Sequence, residues 1–136
     1  MLKTCSCGAR MEIRLRTVIY SRSVDIANVP VFQCDACRRS EVHDRVKPAL
    51  TKLIRSLGAR PPKCSLAFED FHEFAYLLKA ATDRELRGIP VESLVEDRIN
   101  QILDLMLLAK SLNDESWMDE CRQRLLQISG ETMHIV

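Results

Sequence analysis

The fold is decided by Cys5-Ser6-Cys7-Gly8 and Cys34-Asp35-Ala36-Cys37, two short segments that each hold a pair of closely spaced cysteines. Each pair lies within one turn, so its two sulfurs can bind the same ion at about 2.3 Å, and four thiolates complete a tetrahedral sphere. We therefore predict one structural zinc ion per chain, bound by Cys5, Cys7, Cys34 and Cys37. A sphere completed by protein ligands leaves no position for a reactant.

Other interpretations of the cysteines and of a nearby histidine remain open at this stage. One alternative is that the four cysteines are buried or redox-active thiols, and another is that His43, which closely follows the second pair, replaces one of the ligands. For His43 we favour an exposed position at the start of a helix. Cys64 and Cys121 are interpreted as small apolar residues.

The sequence has no segment typical of export or membrane insertion. The longest apolar run, Leu105 to Ala109, is far shorter than the roughly 20 residues that cross a bilayer, and the first residues contain no apolar core. We expect a cytoplasmic protein without membrane contact. Thiols stay reduced in that compartment, which favours metal ligands over disulfides.

The segment from Arg10 to Phe32 alternates in the manner of β-strands. The odd-numbered positions hold Met11, Ile13, Leu15, Thr17 and Ile19, and the even-numbered positions hold the charged residues Arg10, Glu12, Arg14 and Arg16. This period of two predicts a strand with one apolar face. Turn-forming residues occupy 21–28, and strand character then resumes up to the second cysteine pair. Pro30 indicates an edge strand or a strand start, because proline cannot donate a ladder hydrogen bond.

Beyond the second cysteine pair the apolar period changes to that of helices. We predict a helix over 46–57, with Pro48 in its first turn and Gly58 just past its end. Pro61 and Pro62 indicate a linker. Further helices are predicted over 66–81, 90–112 and 115–128, the last two forming a helical hairpin.

Together these patterns predict an α+β fold made of two parts. Residues 1–60 form a zinc ribbon, a β-hairpin or three-stranded sheet followed by a basic helix. Residues 61–65 form a proline-rich linker, and residues 66–136 form an acidic, all-α helical domain.

The N-terminal motifs resemble a known metal-binding module. Cys5, Cys7-Gly8, the segment Ile26-Ala27-Asn28-Val29-Pro30-Val31 and Cys34-Asp35-Ala36-Cys37 before a helix are similar to the YgiT-type zinc finger. That finger is the N-terminal module of the MqsA class of bacterial antitoxins, and the resemblance covers residues 1–55. It implies a bacterial protein with zinc on these four cysteines. Here the first pair is Cys-x-Cys instead of Cys-x-x-Cys, and Arg38 replaces the usual glycine. No helix-turn-helix follows.

Charge is distributed unevenly along the chain. Residues 1–63 hold thirteen Lys and Arg against five Asp and Glu, whereas residues 64–136 hold seven against fourteen. The basic half predicts, as one alternative, a nucleic-acid-binding regulator of transcription or RNA. The candidate contacts for phosphates are Arg14, Arg16, Arg38, Arg39, Arg45, Lys52 and Arg55.

The favoured function class is a regulatory or adaptor protein that binds other proteins. Between Ile102 and Leu112 the predicted helix is apolar on nearly all sides, more than one neighbouring helix can bury, which predicts a homodimer. The candidate self-association residues are Leu103, Leu105, Met106, Leu108 and Leu112. We see no nucleophile-and-base set or phosphate-binding glycine loop, and therefore expect neither an enzyme nor a small-molecule substrate.

Overall fold

A computed structural model describes residues 3–83 and 88–129 of the chain. The chain divides into two units, Met1–Lys79 and Ala80–Val136. Sequence analysis placed this division at the prolines of 61–65. The structure places it later because Cys64–Ala67 forms a strand that belongs to the sheet of the first unit. Residues 84–87 and 130–136 of the predicted helical domain lie outside the described part.

The first unit is built on a five-stranded sheet in which the first four strands follow the order β1-β2-β3-β4. These strands are β1 (Lys3–Thr4), β2 (Arg10–Tyr20), β3 (Val24–Cys34) and β4 (Ser40–Val42), all antiparallel to their neighbours. The fifth strand, β5 (Cys64–Ala67), pairs with β3 in parallel. The α+β class with a mainly antiparallel N-terminal sheet is thus confirmed, with more strands than predicted.

The long hairpin of β2 and β3 carries the alternation that the sequence displays, but only along part of its length. Met11 is buried and Arg10, Glu12 and Arg14 are exposed, as predicted. After Arg16 the opposite face of β2 becomes the more buried one. Ile19 is 67% exposed, whereas Tyr20 is half-buried and donates a hydrogen bond from its hydroxyl to the Gly58 carbonyl at 2.7 Å. The prediction that Thr17 and Ile19 lie on the buried face is therefore wrong.

A β-bulge interrupts the hairpin at the point where this change occurs. Arg16 pairs with Val29 and Val18 with Ile26, so two residues of β3 stand opposite Thr17. Asn28 in the bulge adopts φ +62°, a left-handed conformation that asparagine tolerates better than most residues. Its Nδ2 donates to Glu69 Oε2 at 2.6 Å.

Pro30 lies in the central strand of the sheet, not at an edge as the sequence predicted. The edge of β3 that does not pair with β2 is shared by two short strands: β5 pairs with residues 24–27 and β4 with residues 31–33. Pro30 falls between them, where its missing N–H interrupts neither ladder. Its carbonyl still accepts a hydrogen bond from the His43 N–H at 3.0 Å. Proline is tolerated here because the neighbouring strands stop on either side of it.

The helix predicted over 66–81 is shorter than expected. The chain continues from β5 into a 3₁₀ turn (Phe68–Asp70), and the helix α2 spans only Glu73–Thr82. The Cys64 N–H donates to the Ser23 carbonyl at 3.0 Å and continues the extended chain alongside β3. Phe68 and Phe74 are both fully buried. The sequence placed Phe68 in a helix, whereas the structure places it in the 3₁₀ turn.

The remaining helices match their predicted bounds closely. Helix α1 spans Lys47–Leu57, with Leu50 buried and Gly58 at φ +80° past its end. In the second unit α3 spans Val91–Ser111 and α4 spans Glu115–Ser129. Within residues 3–83 and 88–129, no helix has both the length and the hydrophobicity needed to cross a bilayer.

The hairpin of α3 and α4 turns at Asn113, which adopts φ +54°. Asp114 Oδ1 accepts a hydrogen bond from the Trp117 N–H at 3.0 Å and so caps the start of α4. Four residues of the two helices are fully buried, namely Ile102, Ala109, Cys121 and Ile128. Cys121 therefore has the apolar role that the sequence predicted.

The 3₁₀ segment provides a matched test of the core. Phe68 is fully buried and Phe71 is 46% exposed. We expect Phe68→Ala to lower the free energy of unfolding by about 3–5 kcal/mol, because it opens a cavity in the core, and Phe71→Ala to lower it by less than about 1.5 kcal/mol. Urea unfolding followed by circular dichroism measures both. Equal losses would contradict the burial described here.

Candidate metal centre

The four predicted cysteines converge on one point at the end of the hairpin. The Sγ atoms of Cys5 and Cys37 lie 3.5 Å apart, as do those of Cys7 and Cys34. All four sulfurs lie within 4.8 Å of one another. Tetrahedral bonding at about 2.3 Å places sulfurs about 3.8 Å apart, so the donor set fits a single metal ion. Cys5, from the short Cys-x-Cys pair, belongs to the group.

Two tight turns give the sulfurs this arrangement. In the first turn the Cys5 N–H donates to the Ala9 carbonyl at 2.8 Å and the Gly8 N–H donates to the Cys5 carbonyl at 2.9 Å. Gly8 has φ +93°, a conformation that L side chains rarely adopt. In the second turn the Cys34 N–H donates to the Arg39 carbonyl at 2.8 Å. Arg38, at the position where the YgiT-type finger usually has glycine, adopts a left-handed φ of +62°.

Strand pairing brings the two turns together. Met11 lies opposite Lys3 on one side and opposite Cys34 on the other. The turn between β1 and β2 therefore lies beside the end of β3. Cys5 and Cys34 are buried with Met11 and Phe32, and Ala9 and Ile13 pack against this group. The Arg39 Nη1 donates to Ser6 Oγ at 2.7 Å and links the turns outside the sulfur cluster.

Local hydrogen bonds favour thiolates at two of the sulfurs. The backbone N–H of Cys7 donates to the Cys5 sulfur and lowers its pKa to about 6. The Cys37 N–H lowers the pKa of Cys34 in the same way. At Cys37 the backbone N–H of Arg39 also favours the thiolate, but hydrogen bonds with the other sulfurs, Cys5 first, outweigh it and raise the pKa to about 11. Four thiolates this close repel one another, so full ionisation of the cluster requires a cation.

His43 lies outside the sulfur cluster and is buried, so the expected exposed position is wrong. Its ring stacks on Phe32 with centroids 4.5 Å apart and meets the Phe74 ring edge-on at 4.9 Å. Its Nδ1 accepts a hydrogen bond from the Arg45 N–H at 3.1 Å. Burial lowers the pKa of His43 to about 4. The histidine is therefore a neutral core residue between the sheet and α2.

His72 is a second buried histidine with a structural role. Its Nδ1 accepts a hydrogen bond from the Phe74 N–H at 3.1 Å, and its carbonyl accepts one from the Tyr76 N–H at 3.1 Å. His72 thus caps the start of α2. Burial also lowers its pKa.

The predicted phosphate-contacting residues do not form one surface of free cations. Arg14 Nη2 pairs with Glu12 at 2.5 Å and lies 3.6 Å from Asp35 Oδ2. Arg16 donates to Gln33 Oε1 at 2.6 and 3.0 Å. Arg39 binds Ser6, as described above, and Arg38 and Arg45 are exposed. Lys52 and Arg55 line a cleft on α1 together with Lys47, which the predicted set omitted. The sequence could have added Lys47 to the set, because its helical spacing places it on the same outer face of α1 as Lys52 and Arg55.

The predicted self-association residues differ in exposure. Leu103, Leu108 and Leu112 are 41%, 48% and 62% exposed. Leu105 and Met106 are half-buried. Leu107, which was not in the predicted set, is 65% exposed.

Comparison of the chain with protein-family models, with curated proteins and with solved structures returned no match.

The sulfur cluster predicts one metal ion per chain. Cys34→Ser should lower zinc affinity by more than about a hundredfold, because it removes one of four thiolate bonds from a site of high total binding energy. Competition with a chromophoric chelator measures the affinity. Cys64→Ser, at a half-buried cysteine outside the cluster, is the matched control and should bind zinc as the original chain does. A loss of affinity in the control alone would contradict the ligand set.

The buried His43 predicts a pH dependence of stability. Because the pKa of His43 falls from 6.5 to about 4 on folding, the unfolded chain binds more protons between these values. The stabilising contribution is complete above pH 6.5 and is lost as the pH falls towards 4. Urea midpoints measured across this range should fall less steeply in His43→Phe than in the original chain. Parallel pH profiles of the two proteins would contradict the assignment.

Proposed function

We propose that this chain is a zinc-stabilised interaction protein that pairs with a second copy of itself through α3 and acts as a regulatory adaptor for other proteins. The observation that carries the pairing is a set of exposed leucines on α3, namely Leu103, Leu107, Leu108 and Leu112. Exposed apolar side chains clustered on one helix are typical of a protein contact surface.

The identity of the metal is inferred from its donors. Thiolates are soft ligands, and a tetrahedral set of four favours zinc or iron over magnesium, calcium or manganese. The 4.8 Å limit on all sulfur separations favours a single ion. The resemblance of residues 1–55 to the YgiT-type zinc finger supports zinc. Four protein thiolates saturate zinc, and we therefore propose a structural ion that fixes the end of the hairpin and leaves recognition to the protein surface.

The exposed leucines of α3 are arranged symmetrically in the sequence. Leu103 and Leu107 are mirrored by Leu112 and Leu108 about the middle of the set. Successive helical residues point about 100° apart, so in an antiparallel pair centred there Leu107 and Leu108 of each copy lie at the contact and Leu103 and Leu112 lie on its two flanks. A twofold contact brings the same face of both copies together, and apolar side chains then meet apolar ones. A second copy of α3 is therefore the occupant that we propose for this surface.

The proposed pairing predicts that Leu107→Lys weakens the dimer by at least about tenfold, because it brings a strongly hydrated cation into the apolar centre of the contact. Sedimentation equilibrium at about 1 to 100 µM, a range that covers modest affinities, measures the dissociation constant. Leu126→Lys on α4 is the matched control, since Leu126 is 63% exposed and Leu107 is 65% exposed. A monomeric original chain over the whole range, or equal weakening by both substitutions, would refute pairing through α3.

A further inference from the structure

The outer face of α1 forms an open cleft of about 600 Å³. It lies opposite the side of the helix that buries Leu50 against the rest of the first unit. The residues that line the cleft are Asp44, Lys47, Pro48, Thr51, Lys52 and Arg55. Three of these six side chains are cations and one is an anion, so the lining is net positive.

The cations of the cleft are available to a ligand. Within residues 3–83 and 88–129, none of Lys47, Lys52 and Arg55 forms an ion pair with a carboxylate. The carboxylate of Asp44 lies 3.8 Å from Lys3 Nζ, which offsets part of its charge. These cations differ from Arg14 and Arg16, which hold local partners on the sheet.

The helix itself adds to the positive potential. Helix α1 begins without an acidic residue in its first turn and without a side-chain cap. The partial positive charge at its N-terminus is therefore not neutralised from within the helix. This effect reinforces Lys47 at the first helical position and fades further along the helix, where Lys52 and Arg55 supply the charge.

The length of the cationic row selects among anions. Lys47 and Arg55 are eight positions apart, about 12 Å along the helix axis. A chain of phosphates matches this spacing better than one phosphate ion does. The cleft also lacks aromatic and large aliphatic side chains, the anchors that dominate protein–protein contacts. A polyanion whose charges lie on its backbone fits this surface better than an acidic protein segment does.

We infer that the α1 cleft binds the phosphodiester backbone of a nucleic acid, with Lys47, Lys52 and Arg55 contacting successive phosphates. Contacts of this kind position the nucleic acid without reading its sequence. The inference goes beyond the proposed pairing and does not depend on it, because the cleft lies wholly within the first unit.

The test uses the full-length, zinc-loaded chain and two fluorescent probes of about 20 nucleotides or base pairs, a single-stranded RNA and a DNA duplex, both of mixed sequence. Anisotropy titrations between about 50 and 200 mM salt give affinity and its salt dependence. The variant Lys47→Gln/Lys52→Gln/Arg55→Gln should lose about tenfold or more in affinity at about 100 mM salt. Its slope of log affinity against log salt should flatten by about 2 for RNA or about 3 for DNA.

The matched control removes the same charge elsewhere on the first unit. The variant Arg22→Gln/Arg60→Gln/Lys63→Gln changes three exposed cations outside the cleft. It should keep affinity within about threefold and the original salt slope. Zinc content and thermal unfolding confirm that both variants fold.

Four outcomes would overturn the inference. They are the absence of binding at the lowest salt, equal loss in both triple variants, displacement of the probe by millimolar inorganic phosphate, and displacement by a polyglutamate peptide as effective as unlabelled RNA or DNA. The third result would indicate a small-anion site, and the fourth an acidic protein partner. The two probes distinguish RNA from DNA as the source of the phosphates.

Discussion

The convergence of four cysteine sulfurs is the constraint on which the first unit depends. Sequence positions as distant as Cys5 and Cys37 come within 3.5 Å at their sulfurs. Four thiolates this close repel one another, and full ionisation of the cluster requires a cation. The cluster lies where the β1–β2 turn meets the end of β3, so an ion bound by the four sulfurs would link these two segments. Each turn has its own backbone hydrogen bonds, and the ion would balance the charge of the thiolates.

The hairpin in turn positions the helices of the first unit. Phe32, two residues before Cys34, stacks on His43, and His43 meets Phe74 of α2. A buried imidazole is tolerated there because its Nδ1 is hydrogen-bonded and the ring is neutral. The cysteine end of the sheet is thus packed against the start of α2 through three aromatic rings. The His43 carbonyl accepts a hydrogen bond from the N–H of Lys47 at 3.1 Å, where α1 begins, and the outer face of that helix exposes its three cations.

The two units offer different surfaces. The first unit has an excess of basic residues, fourteen against eight acidic ones in residues 1–79. Arg14, Arg16 and Arg39 contact a local carboxylate, amide or hydroxyl, whereas Lys47, Lys52 and Arg55 line the cleft on α1 and form no ion pair within the described residues. The second unit instead exposes leucines on α3. Charge favours a polyanion on the first surface, and sequence symmetry favours a second copy of the chain on the other. A dimer of such chains would carry two cationic clefts.

The sequence by itself determined the elements that local rules govern. Cysteine spacing predicted the four sulfurs that the structure brings together, and the apolar period predicted α1, α3 and α4 to within a residue or two. Each of these features depends on residues that are near one another in the chain. Only the tertiary structure decided the rest. The proline-rich segment leads into the parallel strand β5, and Pro30 lies in a central strand between the ends of two short partner strands. The buried face of β2 changes at the Asn28 bulge. The tertiary structure also buried His43 and separated the free cations from the paired ones. These features depend on which distant segments lie side by side, and local patterns do not encode that information.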